Sequence, residues 1–121
     1  MKAAIYSRVS TSSQTTDNQT QELLAVAERN DWTVEAVYSD VISGAKDKRP
    51  ELDALMTAVI RREVDIVLIW DISRLGRSLQ HLLKLLEEFH SKKVDVYFHQ
   101  QKIDPTTPAG KMCFQICGAV A

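Results

Sequence analysis

Residues Ala3 to Ser10 read Ala-Ala-Ile-Tyr-Ser-Arg-Val-Ser, a short apolar run that passes directly into polar residues. The run is typical of a buried strand and predicts that Arg8 and Ser10 stand where that strand gives way to a loop. In open α/β sheets, ligands bind just outside the carboxyl ends of the strands. A guanidinium matches phosphate in shape and charge, and a hydroxyl can serve as a nucleophile. The stretch therefore favours chemistry on an anionic substrate.

A second cluster repeats this arrangement. The residues Ser73-Arg74-Leu75-Gly76-Arg77 follow the apolar run Ile66-Val67-Leu68-Ile69-Trp70. Two strand ends that carry arginine in one small domain point to phosphate as the group that is bound.

Apolar runs alternate with longer amphipathic segments, which is typical of βαβ units and a largely parallel sheet. Strands are predicted at Lys2–Ser7, Thr33–Ser39, Asp65–Trp70 and Val94–His99, and helices from Thr16, from Pro50 to near Glu63, and from about Ser78. The third strand is nearly all apolar, so we expect it to be central. The pattern predicts a three-layer α/β domain with about four to five strands and helices on both faces.

Composition narrows the possible functions. The chain has 121 residues and a net charge of −1, whereas a protein that neutralises many phosphates is usually basic. If the domain acts on nucleic acid, we expect most of the affinity to come from elsewhere. The sequence shows neither a membrane span nor a signal peptide, which favours the cytoplasm. Cys113 and Cys117 are interpreted as reduced packing residues, with no metal site.

The last ten residues are unusual for a small domain. A final helix is predicted from about Ala109, and from Met112 to Ala121 only Gln115 is polar. A helix that is apolar on all sides must be buried. We therefore expect either a core helix or, preferably, a fragment whose helix continues and meets a partner.

Taken together, the motifs resemble those of a known family. They are Tyr6-x-Arg8-x-Ser10-Thr11, Gln14 and Gln19, Ser43-Gly44, Arg49-Pro50 and Arg74-Leu75-Gly76-Arg77. In this order and spacing they resemble the catalytic domain of the serine recombinases, the resolvase/invertase family, over the whole chain. The run Thr107–Met112 looks like the start of the long dimerisation helix of that family. The resemblance implies a resolvase-like domain over residues 1–108, the start of the dimerisation helix over 109–121, and a DNA-binding region outside this chain.

The resemblance also implies a mechanism of site-specific DNA recombination. Ser10 would attack a DNA phosphodiester and form a 5′-phosphoserine intermediate, and strand exchange and religation would follow without a metal or other cofactor. The catalytic residues would be Ser10, Arg8, Arg49, Arg74 and Arg77, with Gln14 and Gln19 positioning the substrate. The partners would be the DNA recombination site and further copies of the chain, as a homodimer and as a tetramer in the synaptic complex. The fragment alone is expected to be inactive.

Two departures from the family pattern and several alternatives stay open. The family commonly has Asp where this chain has Ser73, a role that would be unfilled or fall to Asp71. Many members carry a lysine in the second helix, where this chain offers only Arg61 and Arg62 near its end.

Gln19 could instead be the capping-box partner of Thr16. A flavodoxin-like receiver and a non-catalytic dimerisation module are the alternative functions, and the motifs do not separate resolution from inversion, integration or transposition.

Overall fold

A computed structural model describes residues 1–10, 13–42, 49–71, 75 and 78–100, with the backbone alone at 9, 10, 13–17, 42 and 79. Strands and helices alternate along these residues, as predicted. The strands are β1 (Lys2–Ser10), β2 (Thr33–Ile42), β3 (Ile66–Ile69) and β4 (Asp95–Phe98). The helices are α1 (Ser13–Arg29), α2 (Pro50–Ile60) and α3 (Leu79–Ser91).

The four strands form one parallel sheet in the order β2-β1-β3-β4. All four residues of β3 are buried, which confirms the prediction that this apolar strand is central. A strand that is covered on both faces needs apolar side chains on both, and this need produces its unbroken run of Ile, Val and Leu.

The helices divide between the two faces of the sheet. Alternate residues of β1 mark the division, since Ala4 and Tyr6 pack with α2 and α3, whereas Ala3 and Ile5 pack with α1. The core on the α1 face contains Leu23, Val26, Ala27, Trp32, Ile66, Leu68 and Tyr97. The three-layer α/β architecture that was predicted is confirmed for the described residues. None of the helices in these ranges is both long and apolar enough to cross a bilayer.

Both N-terminal strands extend beyond their predicted ends. β1 and β2 were expected to end at Ser7 and Ser39, but their pairing continues through Arg8↔Asp40 to Ser10↔Ile42. Backbone pairing between strands does not depend on hydrophobic alternation, so polar residues continue the ladder past the apolar run. Arg8 is therefore part of the sheet and not of a loop.

The start of α1 was also placed too late. The helix begins at Ser13, so Thr16 lies inside it and does not cap it. Gln19 is only 7% exposed, so the capping-box interpretation of this glutamine is wrong. The predicted dimerisation helix from Ala109 lies outside the described residues and stays a prediction, as does the domain boundary before it.

All three helices end in the same backbone motif. The residue after each C-cap adopts a left-handed conformation, with φ near +57° to +58° at Asp31, Arg62 and Lys93. In α2, the amide of Arg62 donates to the carbonyl of Val59 and the amide of Glu63 to that of Ala58, both at 2.9 Å, which is the Schellman pattern. Glycine usually occupies this position because it carries no Cβ penalty there. Because no glycine marks the end of α2, the helix was predicted to end near Glu63, whereas it ends at Ile60.

Replacing one of these residues by glycine should stabilise the domain. We expect Arg62→Gly to raise the free energy of unfolding by about 0.5–1 kcal/mol, because left-handed backbone is costly for a residue with a Cβ atom. Arg61→Gly is the matched control, since Arg61 has φ −80° and the substitution removes the same charge. It should cost about 0.5–1 kcal/mol. Urea unfolding of both variants measures the difference, and equal stabilities would contradict the prediction.

Candidate active site

Arg8 and Ser10 are among the last three residues of β1, at the carboxyl edge of the sheet. In this part of the described structure β1 pairs with β2 alone, because its pairing with β3 covers only Ala3 to Tyr6. Arg8 is partly buried and is two residues from Tyr6, which places it on the face covered by α2 and α3. Its register partner on β2 is Asp40. The sheet thus places an arginine beside an aspartate at this edge.

Asp40 is a buried carboxylate with donors from two other elements. Its side chain is 3% exposed and accepts a hydrogen bond from the Tyr6 hydroxyl at 2.8 Å. It also accepts from the backbone amides of Glu51 and Leu52, each at 3.0 Å. These are the second and third residues of α2, whose amides an N-cap side chain normally satisfies. The first residue, Pro50, has no amide hydrogen to satisfy. Asp40 therefore caps α2 from a neighbouring strand.

Arg49 stands directly before α2 and is held from both sides. Its carbonyl oxygen accepts from the amide of Asp53 in the first turn of the helix, at 3.1 Å. Its side chain is buried, with 7% exposure, and Nη1 donates to the carbonyl oxygen of Leu75 at 2.8 Å. Leu75 is itself fully buried in the core with α2 and α3. Arg49 thus ties the start of α2 to the middle of the predicted Arg-Leu-Gly-Arg cluster.

The predicted site residues are described to different extents. Arg8 is the register partner of Asp40, and Arg49 directly precedes the helix turn that Asp40 caps. Ser10 is described by its backbone alone, as is Gln14 in the first turns of α1. Ser73, Arg74 and Arg77 lie outside the described residues and stay predictions.

Gln19 belongs to the other layer of the domain. It lies on α1, across the sheet from α2 and α3, so it can meet Arg8 only around the carboxyl edge. Its side chain is 93% buried, and its Oε1 has no hydrogen-bond partner among the described residues. A buried amide oxygen without a partner costs about 1–3 kcal/mol, which a residue with only a packing role would not normally carry.

Asp40 was not among the predicted site residues, because the second strand was predicted to end at Ser39. The signal that could have revealed it is the alternation of β2, because Tyr38 and Asp40 both face the α2 side, where Tyr38 packs against the core. A charged residue at an inward position of a strand calls for a partner. One partner lies on β1 and the other two on a helix that begins ten positions later, and no local pattern indicates them.

Ser7 is a useful contrast to Ser10. Its side chain is 2% exposed, and its Oγ lies 2.8 Å from the Oγ of Ser39 on β2. By strand alternation it lies on the α1 face, away from Arg8. Among the described residues, no group of three or more His, Cys, Asp or Glu side chains could hold a metal ion.

Known proteins match this chain over almost its whole length. The family model described as the resolvase N-terminal domain matches residues 3–121. A DNA-invertase of Escherichia phage P1 is 34% identical over 116 residues, which cover 96% of this chain and 58% of that protein. The transposon Tn552 resolvase of Staphylococcus aureus is 33% identical over 118 residues, covering 96% of this chain and 56% of that protein. The chain thus spans a little over half the length of these curated relatives.

Solved structures give the same result. The N-terminal catalytic domain of TP901-1 integrase superposes with a TM-score of 0.83 at 34% identity, covering 99% of this chain and 93% of that one. A resolvase family site-specific recombinase from Streptococcus pneumoniae superposes with a TM-score of 0.80 at 25% identity, covering 99% of this chain and 85% of that one. The fold and the family model therefore agree, and the chain belongs to the resolvase family of serine recombinases, matching its N-terminal catalytic domain.

Proposed function

We propose that this chain is the catalytic domain of a site-specific DNA recombinase and that Ser10 is its nucleophile. The observation that carries the proposal is the buried carboxylate of Asp40 at the carboxyl edge, where β1 ends at Ser10 and two of the predicted arginines stand on neighbouring elements. Arg8 is the register partner of Asp40, and Arg49 precedes the helix turn that Asp40 caps. Relatives named invertase and resolvase match almost the whole chain, which supports this assignment.

The reaction conserves the energy of the phosphodiester. The Oγ of Ser10 forms a bond to phosphorus as the bond to the 3′ oxygen breaks, and the serine proton ends on that oxygen. An exchanged 3′ hydroxyl then attacks the phosphoserine, which regenerates Ser10 and reseals the strand. Neither ATP nor a metal ion enters this balance. Negative charge spreads over the phosphoryl oxygens in the transition state, so preorganised donors matter most.

Arginines are suited to this task because they are permanently charged and donate in a planar fork. Arg8 is fixed by the sheet, and Arg49 by its bond to the Leu75 carbonyl oxygen. We assign Arg74 and Arg77 to the same phosphate because they flank Leu75 in the sequence. Losing one such donor typically costs ~100–1000-fold in rate. Gln14 and Gln19 would approach from α1 and position the nucleophile or neighbouring phosphates.

Substituting the proposed nucleophile should abolish cleavage without affecting DNA binding. In the longer protein that carries this domain, Ser10→Ala should form no covalent adduct with DNA bearing its recombination site. Ser7→Ala is the matched control, because Ser7 bonds to Ser39 on the opposite face and its loss should leave adduct formation intact. Denaturing gels measure the adducts, and mobility shifts measure binding. Adducts that persist in Ser10→Ala would assign the nucleophile elsewhere, and their absence from the unaltered protein would favour a non-catalytic module.

Neutralising Asp40 should affect both stability and rate. We expect Asp40→Asn to lower the free energy of unfolding by about 2 kcal/mol, since the amide group cannot accept all three charge-assisted bonds. It should also slow DNA cleavage by roughly 10–100-fold, because the start of α2, and Arg49 with it, would lose its fixed position.

Asp53→Asn provides the control for this experiment. Asp53 is an exposed residue in the first turn of the same helix, and its neutralisation should cost no more than about 0.5 kcal/mol. Urea unfolding gives the stabilities, and single-turnover cleavage of folded protein gives the rates. If Asp40→Asn behaved like Asp53→Asn in both measurements, the proposed role of Asp40 would be wrong.

We also propose that the segment 109–121 begins a dimerisation helix and that the full protein acts as a dimer on each DNA site and as a tetramer during exchange. Nine of the last ten residues are non-polar, and large apolar surfaces usually mark interaction sites. The net charge of −1 supports the view that DNA affinity comes mainly from outside this domain.

Sedimentation of this chain tests the assembly. A weak monomer–dimer equilibrium is expected, and Phe114→Glu should shift it toward monomer by placing a charge in the apolar segment. Gln115→Glu introduces the same charge at the one polar position of that segment and should have little effect. A chain that stays monomeric at high concentration would rule out the dimerisation helix.

A further inference from the structure

A polar and aromatic cluster joins α1 to the carboxyl edge of the sheet, on the face opposite Arg8. His99 directly follows β4, and its backbone amide donates to the carbonyl oxygen of Ile69 at 2.9 Å. Its Nε2 lies 3.0 Å from Oε1 of Glu22 on α1, and its Nδ1 lies 3.0 Å from the hydroxyl oxygen of Tyr97. The ring of Trp70 is tilted against the imidazole, with 4.9 Å between centroids. The imidazole is thus engaged at both nitrogens and covered by an aromatic ring.

The chemistry of this contact fixes the proton on Nε2. An ionised carboxylate only accepts hydrogen bonds, so the Nε2 of His99 must donate to Glu22. In the neutral imidazole, Nδ1 then accepts from the Tyr97 hydroxyl. Two hydrogen bonds thus connect Glu22, His99 and Tyr97. The side chain of His99 is 18% exposed, so the contact is shielded from water on one side, while that of Glu22 is 54% exposed. A fixed, ring-covered imidazole is a firm attachment point for a helix.

The contact between Glu22 and His99 lies on the N-terminal side of the apolar residues that pack α1 against the sheet. The apolar side chains that bury α1 against the sheet are Leu23, Val26 and Ala27, all on the C-terminal side of Glu22. Among the described side chains nearer to the start of the helix, Gln19 is the buried one, and its Oε1 has no hydrogen-bond partner. Residues three apart on a helix share a face, so Glu22 lies one turn from Gln19. The contact with His99 thus lies beside Gln19, at the N-terminal limit of the part of α1 that packs on the sheet.

We propose that Glu22 and His99 are positioning residues, a clamp that holds the N-terminal half of α1, and Gln19 with it, against the carboxyl edge of the sheet. This role rests on the proposed function, because the helix begins three residues after the proposed nucleophile. Residues 11 and 12 connect β1 to α1. In this proposal the clamp limits the movement of α1 at the end of that connection, and strand pairing limits the movement of β1 at its start. Neither Glu22 nor His99 touches the reacting atoms.

Hydrogen exchange of this chain tests the clamp without DNA. Glu22→Ala should accelerate exchange of the amides of residues 17–22 by about two- to fivefold, since a contact to a half-exposed carboxylate is weak, while the amides of α3 stay unchanged. Alanine is a better helix former than glutamate, so faster exchange would come from the lost contact and not from lower helix propensity. Glu28→Ala makes the same substitution at an exposed position of α1 and should leave exchange unchanged. Glu22→Gln retains an acceptor for Nε2 and should restore most of the protection.

Two further measurements complete the test. His99→Leu should reproduce the effect of Glu22→Ala, and the double variant should exchange no faster than either single variant, because both substitutions break one contact. In the longer protein, Glu22→Ala should slow single-turnover DNA cleavage by roughly tenfold, and Glu22→Gln should restore it.

The outcomes separate the clamp from the proposed function. Unchanged exchange in Glu22→Ala would overturn the clamp, whatever the cleavage rates. Faster exchange with unchanged cleavage would overturn the positioning role in the reaction. If the unaltered protein formed no adduct at all, the recombinase assignment would fail, and the exchange data alone would then decide whether Glu22 and His99 hold the helix.

Discussion

The carboxylate of Asp40 is the group on which the arrangement of the site depends. Burying a carboxylate costs several kcal/mol unless hydrogen bonds replace its water. Here the Tyr6 hydroxyl and the amides of Glu51 and Leu52 supply three such bonds from a strand and a helix. Each donor is fixed by the element that carries it, so the bonds leave little freedom to any of the three elements. The N-terminal end of α2 carries partial positive charge, which further stabilises the carboxylate. One side chain thus sets the position of α2 against the sheet.

Arg49 connects the start of α2 to Leu75, the residue between Arg74 and Arg77 that the structure describes. Its guanidinium donates to a backbone carbonyl oxygen, that of Leu75, and so holds the chain itself in place. The Leu75 side chain is buried in the same core as Phe89 of α3, so this point of the chain is anchored from two directions. Arg74 and Arg77 flank Leu75 in the sequence, so we propose that this apolar anchor helps a nearly neutral domain to place their charges without a broadly basic surface. This arrangement is consistent with a domain whose arginines serve one reacting phosphate.

Much of the fold was predicted from sequence periodicity, and the parts that were missed leave no local signal in the sequence. Alternating apolar runs and Pro50 identified the strands and the start of α2 because burial and proline leave local signals. The extension of β1 and β2 left no such signal, since strand pairing is a backbone property. The end of α2 was missed because Arg62 stands where glycine usually ends a helix. At the site, local motifs indicated Arg8 and Arg49, whereas Asp40 became visible only with its distant partners.

The two faces of the sheet are the reason why we expect the position of the proposed nucleophile to depend on the packing of α1. Arg8 is held within the sheet by strand pairing, and Asp40 lies beside it on β2. Ser10 ends the same strand, yet only residues 11 and 12 separate it from α1, which packs on the other face. A shift of α1 relative to the sheet would therefore act on the position of Ser10 while leaving Arg8 in place. Because effective attack requires the reacting atoms to approach to about 3–3.5 Å, small shifts of this kind are enough to change the rate. We therefore propose that the layer that carries Gln19 influences the position of Ser10, whereas the opposite layer sets the position of Arg8.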